Sequence, residues 1–412
     1  MKRELSEQHV RRLKQWYIGQ LIVSFLSFAG VIGYSFLFEH EQVTARRVII
    51  LLFSVLTVIL ALKIPFEKEL QAKQKIRRAL RKCNYYFQTM GQAILLPIGL
   101  SYLMLILHRL THLSFLILTV IFLVYLLFMY IPVTYFVYMQ IESLVGRIIL
   151  LCFLIVEGIS AGSQLIMEYT RPKQVGYVLQ TINETQAADV VAILVSVTFL
   201  MYLWGFKLPS FTFSKQANWG VVTFLVIFSL WYVIWNGFGS GSHVSDILFK
   251  YDFSMAKINL KMVLTALTTI QEEWFFRFAI LSLCLRALKN NRHQIEWAVC
   301  SNGILFGLWH FANGFAGQSW SATFEQMLSA GAAGLLFSSI YLYTRNIGFP
   351  ILIHFLNDFL GLSSSASMIM SAPGTIDWLT TIGQVVVFIL IVIFLMTGKR
   401  KQAIQATLDY ED

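Results

Sequence analysis

Three short stretches near the C-terminus of this chain contain side chains that could act together in catalysis. They are EEWFFR, with Glu272, Glu273 and Arg277; FGLWH, which ends in His310; and HFLND, with His354 and Asp358. Each stretch lies in an otherwise apolar segment, where an ionisable side chain costs a few kcal/mol and is rarely found without a partner. We therefore expect the three stretches to converge.

The first stretch combines a paired carboxylate with an available one. On a helix, Glu273 and Arg277 are four residues apart, so they share a face and can form an ion pair. Glu272 is rotated by about 100° from Glu273 and is not needed for that pair. A carboxylate in this position can act as a general base towards water. By itself, the stretch is equally compatible with a structural role for Glu272.

The other two stretches supply the remaining groups. Phe306 lies one helical turn before His310, and Asp358 lies one turn after His354, with Asn357 also within reach. Glu272 and His310 can hold and deprotonate a water. His354 and its acid or amide neighbour can donate hydrogen bonds to a tetrahedral oxyanion. Phe306 and Asn357 are the expected substrate contacts. These parts are sufficient for peptide hydrolysis.

The composition places these segments in a membrane. The chain is 57% hydrophobic and 13% charged, whereas soluble domains contain about 25% charged residues. Apolar runs of about 20 residues can each cross a bilayer core. The sequence predicts an all-α, polytopic helical bundle of about 12 spans, near 15–38, 48–64, 84–107, 113–139, 144–166, 188–208, 218–237, 257–288, 295–316, 323–344, 347–363 and 381–397.

The net charge of +10 is attributed to membrane topology. Most of the 32 Lys and Arg residues fall in the segments that are cytoplasmic if both termini are cytoplasmic, as the positive-inside rule requires. The predicted partners are therefore the lipid bilayer and a peptide or membrane-protein substrate, with no nucleic acid. The four cysteines are dispersed and predict no thiol chemistry.

Polar groups within the spans are concentrated in the second part of the chain. We predict an N-terminal accessory bundle over 1–140, a functional core over 141–398 and a short cytoplasmic tail over 399–412. The accessory bundle contributes no catalytic group and is a candidate surface for a partner membrane protein. The glycine-rich stretch 237–242 is expected to be a flexible connection or gate within the core.

The three stretches resemble the EExxxR, FxxxH and Hxxx(N/D) motifs of the CAAX-protease and bacteriocin-processing family, also called the Abi family. The resemblance covers roughly 144–397 and implies an intramembrane protease with a core of about eight helices. It also implies that Glu272 activates water with the help of His310, that Glu273 and Arg277 shape the site, and that His354 and Asp358 stabilise the oxyanion.

One position departs from many bacterial relatives, which have Asn where this chain has Asp358. An ionised Asp358 would oppose an oxyanion, so it must be protonated or must orient a cationic His354, or Asn357 takes the donor role. By residue type, Glu272, His310 and His354 could bind zinc, but the chain has no H-E-x-x-H motif and a glutamate mechanism needs no metal. We predict no cofactor.

Two other classes of function stay open. A catalytically silent scaffold would bind partner proteins, and a secondary transporter would use intramembrane Glu and His residues as proton relays. A transporter should show repeat symmetry, whereas here the polar groups lie in one half of the chain. For a protease in a bacterial cell membrane, the resemblance suggests a bacteriocin or pheromone precursor as substrate, or a self-immunity function; a prenylated C-terminus is the eukaryotic alternative.

Overall fold

The computed structural model describes residues 5–38, 45–67, 74–171, 176–241, 243–365, 367 and 370–409. Two parts of the predicted segments lie outside the described residues: the chain ends at 1–4 and 410–412, and Ser242 of the glycine-rich stretch. Over the described ranges the chain is helical, apart from two isolated β-bridges, Ser210–Asn346 and Gly239–Tyr251, and the connecting loops. The predicted all-α class is confirmed.

The chain divides into two compact units, at Phe206 and Lys207. The helices of the first unit are α1 (Glu7–Phe38), α2 (Ala45–Lys63), α3 (Lys75–Thr111), α4 (Phe115–Met129), α5 (Ile131–Phe136), α6 (Leu144–Phe153), a π-helix (Leu154–Ser160), α7 (Ala161–Glu168), α8 (Tyr177–Thr185) and α9 (Asp189–Leu203). The long helix α3 packs against α1, α2, α6 and α7. The predicted boundary near residue 140 falls inside this unit, because the helices after 140 pack against α3. The functional division itself stays a prediction.

The helices of the second unit are α10 (Trp219–Phe238), α11 (Leu260–Leu267), α12 (Thr269–Glu273), a second π-helix (Trp274–Ile280), α13 (Leu281–Ala287), α14 (Gln294–Trp309), α15 (Trp320–Thr344), α16 (Gly348–Ser365), α17 (Thr375–Leu395) and α18 (Gly398–Asp409). Side-chain caps determine where several of them begin. Asn218, Asn259 and Ser319 accept hydrogen bonds from the first-turn amides of α10, α11 and α15, as capping residues commonly do.

Glycines bring α14 and α15 unusually close together. A Cβ atom at Gly303 would lie 2.5 Å from the Leu335 side chain, and one at Gly307 would lie 2.6 Å from the backbone oxygen of Met327. Small residues at such a crossing allow two membrane helices to pack backbone against backbone. Since α14 carries Phe306 and leads into His310, this contact helps to position one part of the predicted site.

Within the described residues, eight helices are long and apolar enough to span a membrane, or nine if the bent pair α8 and α9 counts as one span. This is fewer than the twelve predicted. The predicted spans at 257–288, 295–316 and 347–363 are the ones that carry the three motifs. In the structure the first is interrupted and charged, the second contains a helix of only 16 residues, and the third contains His354, Asn357 and Asp358.

The described residues of the glycine-rich stretch make several close contacts, and its predicted role as a flexible connection or gate stays a prediction. Gly237 is part of α10, where its Cβ would lie 2.8 Å from that of Leu360 on α16. The Ser240 amide donates to the Lys250 carbonyl at 3.0 Å, within the short bridge between Gly239 and Tyr251. The described part of the stretch is therefore packed and hydrogen-bonded.

Candidate active site

The three motif stretches converge within the second unit. Glu272 and Glu273 end α12, Arg277 lies in the π-helix that follows, and His354 and Asp358 lie on α16. His310 begins the 3₁₀ turn His310–Gly314 directly after α14. Helix α16 packs against both α11 and α12, which brings His354 beside the two glutamates.

A buried ion pair forms the base of this site. Glu273 Oε2 and Arg277 Nε are 2.9 Å apart, and both side chains are 0% exposed. The second oxygen of Glu273, Oε1, accepts a hydrogen bond from His354 Nδ1 at 2.8 Å. Glu273 thus links the arginine of one stretch to the histidine of another, and its two oxygens are both turned towards other members of the site.

Aromatic rings enclose the Arg277 guanidinium. Its Cζ atom lies 4.5 Å from the ring centre of Phe306, 5.5 Å from that of Phe337 and 6.0 Å from that of Phe276. Its two terminal nitrogens are buried and have no protein hydrogen-bond acceptor among the described residues. Cation–π attraction therefore contributes to holding this charge in the interior.

Phe337 is a member of the site that the sequence motifs do not include. Its ring centre is 5.8 Å from that of His354, so it contacts both the histidine and the arginine. It lies on α15, which carries none of the motif residues. Its neighbour Ser338 accepts a hydrogen bond from Asn302 on α14 at 2.7 Å.

The bond to Glu273 determines which way His354 faces. Since a carboxylate only accepts, Nδ1 carries the proton of that bond, and Nε2 is directed elsewhere. This Nε2 lies 3.8 Å from Asp358 Oδ1 and 4.0 Å from Glu272 Oε2. Both distances are too long for a direct hydrogen bond and suit one bridging water. The carboxylates of Glu272 and Asp358 are also the accessible ones, with side chains 25% and 35% exposed.

His310 is oriented by its own helix. Its Nδ1 donates to the Phe306 carbonyl at 2.9 Å, which leaves Nε2 able to accept a proton. The Phe306 ring is edge-on to both histidines, with ring centres 5.1 Å from His310 and 5.8 Å from His354. Glu272 lies within electrostatic range of both imidazoles. The Phe306 ring is thus in contact with both histidines. Its role as a substrate contact stays a prediction.

Asn357 lies beside the site without a bond to either histidine. Its amide Nδ2 donates to Asp358 Oδ1 at 3.3 Å. That bond occupies one oxygen of the acid. The Asn357 Oδ1 is buried and has no protein partner among the described residues. The expected substrate contact at Asn357 stays a prediction.

The arrangement does not fit the zinc site considered from residue types. Over the described part of the chain, no three His, Cys, Asp or Glu side chains are grouped so that they could hold a metal ion. The predicted absence of a cofactor stays a prediction, and no catalytic step is assigned to a metal.

The comparisons with known proteins identify the same part of the chain. Residues 256–360 match the family model described as type II CAAX prenyl endopeptidase Rce1-like. No curated protein and no solved structure matches the chain. The matched segment begins before α11 and ends within α16, so it contains all three motif stretches. By this match, residues 256–360 are a segment of the CAAX-protease and bacteriocin-processing family, as the motifs predict.

Proposed function

We propose that this chain is an intramembrane endopeptidase in which Glu272 activates the attacking water. The observation that carries the proposal is the 4.0 Å gap between Glu272 Oε2 and His354 Nε2, at the accessible edge of an otherwise buried polar network. A water in this gap would contact the carboxylate on one side and the imidazole on the other. The family match supports peptide hydrolysis as the reaction.

The site residues then divide the reaction between them. Glu272 accepts a proton from the water as the oxygen attacks the peptide carbonyl, and the same carboxylic acid later donates that proton to the leaving amine. The carbonyl oxygen becomes an oxyanion and accepts a hydrogen bond from Nε2–H of a cationic His354. His310 Nε2 accepts a hydrogen bond from the water and orients it.

Glu273, Arg277 and Asp358 have supporting roles in this proposal. Glu273 keeps Nδ1 of His354 bonded, so that Nε2 is the nitrogen presented to the substrate. Arg277 balances the buried charge of Glu273. Asp358, 3.8 Å from Nε2, orients the His354 ring through a bridging water, a role that an amide at the same position can also fill.

The proposed setting is a bacterial cell membrane with both chain termini in the cytoplasm. The distribution of Lys and Arg supports this orientation. The proposed substrates are peptides or membrane proteins, with bacteriocin or pheromone precursors as the specific candidates, or a peptide against which the chain provides self-immunity. The N-terminal bundle is proposed to receive a partner membrane protein.

The test compares the wild-type chain with Glu272→Gln in one bacterial host. The substitution keeps the shape of the side chain and removes the proton acceptor. We expect new peptide N-termini in membranes and medium with the wild type and none with Glu272→Gln, at equal amounts of folded protein. Glu168→Gln, at an exposed glutamate at the end of α7, is the matched control and should retain all products.

Each outcome separates the candidate functions. Undiminished products with Glu272→Gln would eliminate the glutamate mechanism. If the folded wild-type chain yields no products in this host while it retains partner proteins, the scaffold function replaces the protease.

A further inference from the structure

The helices of the second unit have two distinguishable ends, and the proposed site lies towards one of them. At the first end, here called the site end, α10 and α16 finish; the Ala256 amide donates to the Ser363 carbonyl there at 2.8 Å. At the opposite end, the Ser214 amide donates to the Thr344 carbonyl at 2.7 Å, where α15 finishes and α16 is about to begin.

Exposure rises towards the site end along the face of α16 that carries the site. On α16, the His354 side chain is 10% exposed and that of Asp358, one turn nearer the site end, is 35% exposed. Glu272 is 25% exposed, whereas Glu273, on a neighbouring face of the same helix, is 0% exposed. The site is therefore accessible from the site end.

Basic residues are concentrated at the opposite end. Of the thirteen Lys and Arg residues from 207 to the C-terminus, nine lie in the loops or helix ends there, including Arg292, Arg345 and Lys399. Three lie at the site end (Lys250, Lys257 and Lys261), and the last is Arg277 within the site. Because short loops rich in Lys and Arg remain in the cytoplasm, the opposite end of this unit is the cytoplasmic one.

Exposed aromatic residues mark the level of the membrane surface at the site end. Phe249, Phe253 and Phe315 are 83%, 64% and 76% exposed, and Trp320 is 45% exposed. Aromatic side chains collect at the boundary between lipid and water. The accessible side of the site is thus close to the headgroup region of the bilayer, within reach of a polypeptide that lies along that surface.

We infer that the site opens on the non-cytoplasmic face of the membrane and takes its substrate there. The substrate class that follows is a polypeptide already on that face: an exported peptide, or the external end of a membrane protein. The substrate part of this inference rests on the proposed function; the orientation rests only on the placement of charged and aromatic residues around the site.

The orientation is tested with single cysteine substitutions and a membrane-impermeant maleimide on intact cells. Ala316→Cys places an exposed thiol in the turn that follows His310, and Asn290→Cys places one in the loop between α13 and α14. Labelled positions are located by peptide mass spectrometry, so that the four native cysteines do not interfere. We expect at least tenfold more labelling of Ala316→Cys than of Asn290→Cys in intact cells, and equal labelling after permeabilisation.

Equal or reversed labelling in intact cells overturns the inference. If Ala316→Cys does not accumulate as folded protein, Lys257→Cys at the same end replaces it with the same expected result. Labelling does not depend on activity, so the orientation and the protease function can fail separately. Expected labelling with no cleavage products would remove the function alone, whereas Glu272-dependent products with reversed labelling would remove the orientation alone.

Discussion

Replacement of Arg277 should destabilise the protein strongly, because its charge is paired with Glu273 where neither side chain is exposed. In Arg277→Met the apolar part of the side chain keeps similar packing among the phenylalanines, while Glu273 is left as a buried carboxylate with His354 as its remaining partner. Removing one member of a buried ion pair costs about 3–5 kcal/mol. This corresponds to a decrease of about a hundredfold to several thousandfold in the ratio of folded to unfolded protein.

The double variant Glu273→Gln/Arg277→Met separates the charge from the rest of the site. Replacing both members of a buried pair is often close to neutral, since no unpaired charge remains. The amide oxygen of Gln at 273 can still accept the hydrogen bond from His354 Nδ1. We therefore expect the double variant to recover most of the stability lost in Arg277→Met, although its cleavage activity falls.

The assay is thermal unfolding of purified protein in detergent, followed by the amount that remains monodisperse on size exclusion. Arg292→Met, at an exposed arginine in the loop before α14, is the matched control and should change the free energy of unfolding by less than about 0.5 kcal/mol. The reasoning is refuted if Arg277→Met is as stable as Arg292→Met. It is equally refuted if the double variant loses as much stability as Glu273→Gln and Arg277→Met lose when their separate losses are added. The two charges would then not be coupled.

Three further substitutions or treatments test other parts of the site. Asp358→Asn should retain at least the wild-type cleavage rate, since the amide is uncharged and can donate to an oxyanion; a tenfold loss in a product-formation assay would contradict this. Gly307→Ala should lower the thermal stability, by about 1–3 kcal/mol, because its Cβ would meet the Met327 backbone, whereas Gly383→Ala, with no atom within 4 Å of its Cβ, should be neutral or gain up to about 1 kcal/mol. Chelators should change the rate of product formation less than twofold, and a loss that zinc restores would show that a metal takes part.

The helical spacing of the motifs predicted the pairs within each stretch. Glu273 and Arg277 form the expected ion pair, and Asp358 lies beside His354 on the same helix face. The contact between His354 and Glu273 was not predicted, because a partner on another helix depends on how the two helices are placed along one another. Phe337 was missed for a related reason: an apolar residue in an apolar helix shows no sign in the sequence that it faces an arginine.

Backbone geometry was also outside what the sequence patterns could predict. The segment Trp274–Ile280 is π-helical, and it begins at the residue after Glu273. Such segments are rare and occur frequently at functional sites, but they arise from tertiary packing, not from a recognisable residue pattern. The boundary between the compact units could not be predicted for the same reason. The apolar residues around position 140 do not show that the later helices of the first unit pack against α3.

The difference between predicted and observed spans has a physical meaning for the site. The three motif segments contain the charged and polar groups, so they are poorly suited to contact lipid by themselves. In the second unit they pack against the longer apolar helices α10 and α15, and α17 packs against α15 in turn. Irregular or polar helical segments are tolerated at membrane depth where other protein segments enclose them. The catalytic groups should therefore keep their positions only as long as this packing is intact. This is why Gly307, which takes no part in the proposed reaction but packs against the Met327 backbone, is expected to affect both stability and cleavage.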